Sequence, residues 1–387
     1  MRPMTFLLFF AIVFAVYASI NYYLFSRLNM VFPGTSGIAL YVKVIFWFLV
    51  VSYFAGRFLE RIWLSKISMG ITIIGSYWLA AMLYLLIAVL LIDLIRLAGY
   101  IIPFLSSGIS NHLHDVKKYL FWGVIVATGI LMTYGYFNAR RPLIRELDIS
   151  IPKQAGNRKE LNIVMGSDIH LGTMITKKRL QQIVNQINSL EPDIILLVGD
   201  IIDEDLKPVI RKDLGSELKM LKAKSGVFAV TGNHEYIGGV NPAVSYLESH
   251  GIQLLRDTAV LIENSFYLIG REDRSHRGFL GKQRKALSDI MKGLNKDLPL
   301  ILMDHQPFKL EESAENGIDI HLAGHTHNGQ IWPLNYIIDA VYEVGWGYKN
   351  KSGTHVYVSS GIGTWGPPLR IGTRPEIIKL KLHFNSE

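Results

Sequence analysis

The sequence predicts a transmembrane helical bundle of about four spans followed by an α/β sandwich. Three observations carry that expectation. Before residue 140 lie four long apolar stretches almost free of charge; after it, short apolar runs alternate with polar, helix-periodic segments; and those runs end, one after another, in polar side chains. The 387 residues exceed one ordinary domain, and the expected division is 1–140 in the membrane and 141–387 as a soluble α/β part.

The first stretch, Met4–Phe25, has no charged residue and is long enough to cross a hydrocarbon core of roughly 30 Å. Ile38–Ala55, Gly70–Ile92 and Tyr119–Asn138 are the three further spans. A small-residue cleavage site near Ala18 would suit a signal peptide, but such apolar regions run only about 7–15 residues, so an uncleaved span is expected. Lys43 and the Asp93/Arg96 pair lie near span ends, where long side chains snorkel and opposite charges pair, rather than along an ion pathway. Leu97–Ile109, interrupted by Pro103, is too short to span and is expected to lie at the interface.

Lys and Arg are denser on the side carrying Arg2, Arg57, Arg61, Lys66, Arg140, Arg141, Arg145 and Lys153 than on the side carrying Arg27, Arg96, Lys117 and Lys118. By the positive-inside rule this predicts a multi-pass protein of the cell membrane with both termini and the soluble part, 141–387, in the cytoplasm. The absence of cysteine excludes disulfides, thiolate catalysis and cysteine metal sites. The net charge of +8 fits an anionic leaflet and equally fits positive-inside flanks; no zinc-finger, basic-zipper or ribonucleoprotein signature points to nucleic acid.

From "RRPLIRELDISIP" onward the pattern is that of an α/β domain. "LNIVMG", "DIILLVG", "VFAVTG", "LPLILM" and "IDIHLAG" read as buried strands. Leu180, Ile183, Val184, Ile187 and Leu190 share one helical face with Thr176 as N-cap, and Asn241 before Pro242 marks another helix start. His321, inside a strand, reads as a core or edge histidine.

The polar block at the end of each strand carries more information: "SDIH" at 167–170, "GDIID" at 199–203, "GNHE" at 232–235, "DHQP" at 304–307 and "GHTH" at 324–327. Each block alone is weak. Together they place Asp168, His170, Asp200, Asn233, His305, His325 and His327 at the carboxyl ends of successive strands, the edge where open α/β sheets bind ligands. Seven nitrogen and oxygen ligands without thiolate suit two divalent ions better than one, since tetrahedral zinc is filled by about four. Two ions roughly 3.5–4 Å apart activate water to hydroxide and neutralise a phosphoryl group during in-line attack, with Asp200 able to bridge them.

These blocks, in this order, resemble the calcineurin-like metallophosphoesterase superfamily from about Leu143 to the C-terminus. The resemblance implies that Asp168, His170 and His327 hold one metal, that Asn233, His305 and His325 hold the other, and that Asp200 bridges. It implies that His234 is no ligand but faces the phosphate and assists the leaving group, with Asp203 orienting it. His325 and His327, as alternate residues of an extended segment, would then each serve one ion. The metals would be Mn, Fe, Zn or Co, with Mn favoured.

Glu204 and Asp205 come after Asp203 where the serine/threonine protein phosphatases of this superfamily have Arg-Gly, which speaks against that activity. The tail Gly361–Ile377 is similar to the bacterial membrane-associated branch, which includes phosphodiesterases and UDP-2,3-diacylglucosamine pyrophosphohydrolases; that branch more often has Gly where Asn328 stands. Arg271–Lys285 is rich in cations that would clamp phosphate, face anionic lipid or line a solvated helix face. The apolar, aromatic Trp332–Tyr348 would enter the membrane interface or line an acyl groove, or form sheet core in its alternating part. The expected function is hydrolysis of a phosphodiester or pyrophosphate bond in a lipid-linked substrate at the bilayer. The alternatives are a phosphodiesterase for a soluble nucleotide or small diester, and a non-catalytic metal-binding sensor or transporter subunit.

Overall fold

The computed structural model describes residues 3–35, 37–101 and 113–385. They fall into two compact units, 1–135 with 366–368, and 136–365 with 369–387.

The helical unit holds α1 (Pro3–Val31), α2 (Ile38–Ile62), α3 (Lys66–Ile101) and α4 (Leu113–Ala139), whose last turn from Tyr136 groups with the second unit. All four are long and apolar enough to cross a membrane. Ile45, Phe48, Leu91 and Ile130 are exposed on the protein alone, as expected of helices solvated by lipid. Asn21 is fully buried in this unit; it donates to the Tyr17 carbonyl and accepts from Trp78 Nε1, a polar contact of the kind that joins helices in lipid. Asp93 pairs with Arg27 at 2.7 Å and Arg96 at 3.3 Å, and Lys43 donates to Asn29 and the Gly34 carbonyl, so these charges are locally satisfied. Leu97–Ile101, the start of the stretch expected at the interface, continue α3 as its last residues, while 102–109 lie outside the described residues.

The second unit is built on twelve strands: β1 (Leu143–Ile151), β2 (Glu160–Gly166), β3 (Ile194–Val198), β4 (Val227–Val230), β5 (Gln253–Leu254), β6 (Thr258–Ile262), β7 (Phe266–Gly270), β8 (Leu300–Met303), β9 (Ile320–Ala323), β10 (Gly347–Lys351), β11 (Thr354–Val358) and β12 (Glu376–Phe384). They form two six-stranded mixed sheets, ordered β1-β12-β2-β3-β4-β5 and β10-β11-β9-β8-β7-β6. Residues alternate along β3: Ile194, Leu196 and Val198 join Leu268, Ile301 and Leu322 of the other sheet in the inner core, while Ile195 and Leu197 face Leu180, Ile183 and Leu247 on the helices outside. A strand covered on both faces reads as a continuous apolar run, which is why β2, β3, β4, β8 and β9 are visible in the sequence.

The helix Lys177–Asn188 begins where expected, its N-cap Thr176 accepting from the Arg179 amide. The helix expected at Asn241 starts instead at Val240 after Gly239, with Pro242 tolerated in the first turn. Trp332–Tyr348 joins the sheet core at Val344, buried with Ala323 of β9 and Val356 and Val358 of β11, and Gly347 and Tyr348 begin the exposed strand β10; the part before Val344 is different. Leu334, Ile337, Ile338 and Val341 repeat at helical spacing, and Asn335–Val341 is a helix with no buried residue. The basic stretch is not a solvated helix. Only His276–Leu280 is helical; Arg271 is buried between Asp304 and Glu312, at 3.3 and 3.1 Å, and Arg284 reaches Asp304 at 2.8 Å. Distant carboxylates hold these two guanidiniums inside the protein.

Candidate metal centre

The polar residues just beyond five parallel strands meet at one edge. Asp168 and His170 come after β2, Asp200 and Asp203 after β3, Asn233 and His234 after β4, His305 after β8, and His325 and His327 after β9. The metal-competent side chains gather where the buried ladders end, so convergence there is a consequence of the sheets, whereas His321 inside β9 is buried against Ser313, the core histidine expected.

Asp168, His170 and His327 form one group close enough to hold an ion; Asp200, His305 and His325 form a second; His170, Asp203 and His234 form a third. Asp200 Oδ2 stands between the first two, 3.1 Å from His305 Nε2 and 3.9 Å from His170 Nε2. The Nε2 atoms of His170 and His327 face each other at 2.9 Å. His305 Nδ1 lies 2.8 Å from the Val198 carbonyl, which fixes a proton on Nδ1 and leaves Nε2 facing Asp200. His234 has Nδ1 3.2 Å from Asp203 and Nε2 4.0 Å from Asp200.

The donor set fits divalent metals. Lone pairs converge on a buried cradle, and the Asn233 Oδ1 and His325 Nδ1 are buried without a hydrogen-bond partner among the described residues. Imidazole with carboxylate and amide oxygen suits first-row transition ions.

The electrostatics are set by burial and by like or unlike neighbours. Burial works against the Asp200 charge, but His305, His234 and His170 together hold its carboxyl well below the usual range. Burial also opposes charge on His234, yet Asp200 and Asp203 push it up to about 9. His325 goes the other way, down to about 3, through burial and then its neighbour His305. Burial and Arg370 keep His327 well below the ordinary histidine value.

The backbone at this edge differs from expectation. His325 and His327 do not alternate along an extended segment: their φ values are 73° and 50°, and a 3₁₀ turn starts at His327. They still reach different groups, because the turn rather than strand pleating separates them. Asp168, His170 and Asp200 also hold positive φ, at 53°, 53° and 49°, a conformation that costs non-glycine residues free energy and persists where surrounding bonds impose it. Gly232 and Gly324 supply close approach: a Cβ would lie 2.1 Å from Asp200 Oδ1 in one case and 2.4 Å from Asp168 Oδ2 in the other.

A model of the family described as calcineurin-like phosphoesterase matches residues 161–329, a span that contains every candidate metal ligand together with Asp203 and His234. A metallophosphoesterase of Helicobacter pylori is 35% identical over 274 residues, covering 69% of this chain and 71% of that one. The chain belongs to the calcineurin-like phosphoesterase family. A "transmembrane protein with metallophosphoesterase domain" from Danio rerio is 31% identical over 272 residues, covering 67% of this chain and 61% of the relative. Among solved structures, a dimetal phosphatase from Danio rerio aligns with a TM-score of 0.36 at 13% identity, over 59% of this chain and 100% of the other. With its four long apolar helices, this calcineurin-like phosphoesterase is a multi-pass membrane protein.

Three further residues shape the phosphoesterase site and do not stand out in the sequence. Glu235 is buried and accepts from the amides of Gly232 (2.7 Å), Ile202 (2.8 Å) and Asp200 (3.2 Å), fastening two metal blocks together. The G-x-x-E spacing at a helix start is its one signal. Arg370 is fully buried and donates to the carbonyls of His327 (2.8 Å), Ser360 (2.6 Å) and Gly363 (2.7 Å). Trp365, half exposed, places its ring centroid 5.9 Å from that of His234. Its amide and carbonyl are both bonded by the Gln330 side chain, at 2.8 Å each. Nothing in local sequence marks Arg370 or Trp365 except their place in the tail Gly361–Ile377.

Proposed function

We propose that the protein is a membrane-anchored dinuclear phosphoesterase that hydrolyses a phosphodiester or pyrophosphate bond in a lipid-linked substrate. The observation that carries this reading is the pair of buried carboxylate–imidazole groups with Asp200 between them and His234 opening onto both. Asp168, His170 and His327 would hold one ion and Asn233, His305 and His325 the other, with Asp200 available to both. When bound, two such ions supply charge against the phosphoryl oxygens and activate water. Mn is the favoured metal, ahead of Fe, Zn and Co.

The chain's own residues complete the chemistry. His234 presents Nε2 to the cradle and Nδ1 to Asp203, so it delivers a proton at Nε2 to the departing oxygen while Asp203 holds the ring. Two features support the lipid-linked substrate: the four spans, which confine the site to a membrane, and the exposed apolar helix Asn335–Val341. The Lys/Arg distribution supports a cytoplasmic placement of the catalytic unit, residues 141–387.

The test uses detergent-purified full chain, metal-replete and then chelated, against membrane phospholipids, lipid-linked sugars and nucleotides, with metal content measured per chain. Hydrolysis of a long-chain substrate in preference to its short-chain analogue, lost on chelation and restored by one transition metal, is expected. Asp200→Ala should lose both metal and turnover, and His234→Ala turnover alone. Cleavage without chain-length preference would replace the lipid reading with a soluble substrate, and full metal occupancy with no hydrolysis of any diester would remove the enzyme reading. A reporter fused after Arg145 that is exported would overturn the cytoplasmic placement.

A further inference from the structure

We propose that the helix Asn335–Val341 is a membrane-docking element, its apolar side seated in the headgroup–acyl boundary of the bilayer. This surface serves no step in the hydrolysis of a phosphoester, and its docking role holds whatever the site cleaves.

The helix is built the opposite way round from a helix on a water-soluble domain. Tyr336, Ile337 and Val341 are 64%, 59% and 57% exposed, and no residue of the helix is buried. At about 100° per residue, Tyr336, Ala340, Ile337 and Val341 share one continuous arc of roughly 140°. The other side faces the protein: a Cβ on Gly345 would meet Ile338 Cγ2 at 2.7 Å and Asp339 Oδ1 at 3.2 Å. The helix thus turns its aromatic and branched apolar side chains outward, as interfacial helices do, with Ile338 packed toward Gly345 and the exposed Asp339 outside the apolar arc. Trp332, 44% exposed at the entry to this segment, adds a residue type enriched at membrane interfaces.

The root of the helix is joined to the place where the chain leaves its fourth span. Asn138, in the last turn of α4, donates to the carbonyls of Arg370 and Thr373, both at 2.8 Å. Between those two residues, Ile371 donates to the Gln330 carbonyl and accepts from the Trp332 amide. Arg179, buried, closes the carbonyl end of α4 by donating to Arg140 and Ala139. Two short hydrogen-bonded steps therefore connect the span's end to Trp332.

Charge around this junction fits a bilayer surface. Arg140, Arg141 and Arg374 are exposed; the guanidinium of Arg140 lies over the Tyr136 ring at 4.1 Å, and Arg374 donates to the Arg141 carbonyl. Exposed cations with aromatic neighbours beside a span match anionic headgroups. A second copy of the chain is a poorer occupant, because one seven-residue helix supplies only part of the roughly 800 Å² per partner that a stable dimer buries.

The chain contains no cysteine, so a single introduced one is a unique label site. Spin labels on Ile337→Cys and, separately, on Met220→Cys are compared in the full-length protein in nanodiscs of phosphatidylcholine and phosphatidylglycerol. Met220 is exposed on the loop beside Asn188, at the opposite, amino-terminal edge of the sheet. Power saturation with oxygen and with a water-soluble nickel chelate should give an oxygen-to-nickel collision ratio several-fold higher at 337, corresponding to burial about 5–10 Å below the headgroups. Equal nickel access at both positions would overturn the proposal. So would shielding of 337 from both reagents with dipolar broadening, which would assign the helix to a protein contact. Diester hydrolysis measured on the same samples reports the catalytic reading separately, since the collision ratio is indifferent to turnover.

Discussion

The Asp203 carboxylate stands between two imidazoles, 3.2 Å from Nδ1 of His234 and 3.6 Å from Nδ1 of His170. One acid therefore orients a ring assigned to proton delivery and a ring assigned to metal binding. Asp203→Asn should lower both turnover and metal affinity, each by roughly 10–100-fold, because a residue that holds a ligand in place acts through that ligand. His234→Gln should cut turnover by about 10²–10⁴-fold with metal content unchanged. Turnover and metal titration on the two variants separate these effects; an Asp203→Asn protein that binds metal normally would mean that His170 does not depend on it.

Glu235 is expected to matter for stability before it matters for chemistry. Its carboxylate satisfies three buried amides, of Asp200, Ile202 and Gly232, and removal leaves them unpaired at about 1–3 kcal/mol each. Glu235→Ala should lower the thermal midpoint in detergent and lose metal, whereas Glu235→Gln, which keeps one acceptor, should fall between it and wild type. An unchanged midpoint for Glu235→Ala would show that water replaces the carboxylate.

Legibility in the sequence differs by physical cause. Strands buried on both faces announce themselves as apolar runs, and a polar block after each is informative because the strand interior excludes it; the convergence of Asp168 through His327 is legible on those grounds. Arg271, Arg284 and Arg370 are not, since a cation in sequence reads as exposed until its acceptors are known, and Asp304, Glu312 and the His327 carbonyl are set beside them only by folding. The turn at His325 and His327 reads as extended because positive φ at non-glycine residues is imposed by tertiary bonds such as the His325 amide to Asp168. Apolar content also misleads at Asn335–Val341, because hydrophobicity does not distinguish a core from a surface that faces something other than water.

Arg370 ties the His327 carbonyl to the loop Ser360–Gly363, whose Gly363 amide donates to the Asp168 carbonyl. It thus braces two of the three residues assigned to one ion and none of those assigned only to the other. Arg370→Met keeps much of the volume and removes the donors. Metal content should fall from two ions per chain to one, with Arg370→Lys intermediate. Equal loss of both ions would indicate that the whole edge collapses together.

The last prediction concerns the leaving group. Trp365 presents a half-exposed indole next to His234, and Gln330 grips its backbone from both sides, so the ring is held rather than floppy. A group departing past His234 Nε2 leaves alongside that ring. Stacking between aromatic groups is worth roughly 0.5–1.5 kcal/mol beyond burial, or about 2- to 13-fold in affinity. Trp365→Ala should therefore raise KM by that factor for a diester with a phenyl leaving group and leave KM unchanged for its trifluoroethyl counterpart, with kcat similar for each. Trp365→Phe should recover most of the difference, and Gln330→Ala, which frees the backbone but keeps the ring, should show part of it. If both diesters lost equally in Trp365→Ala, the indole would be supporting the His234 loop and not the substrate.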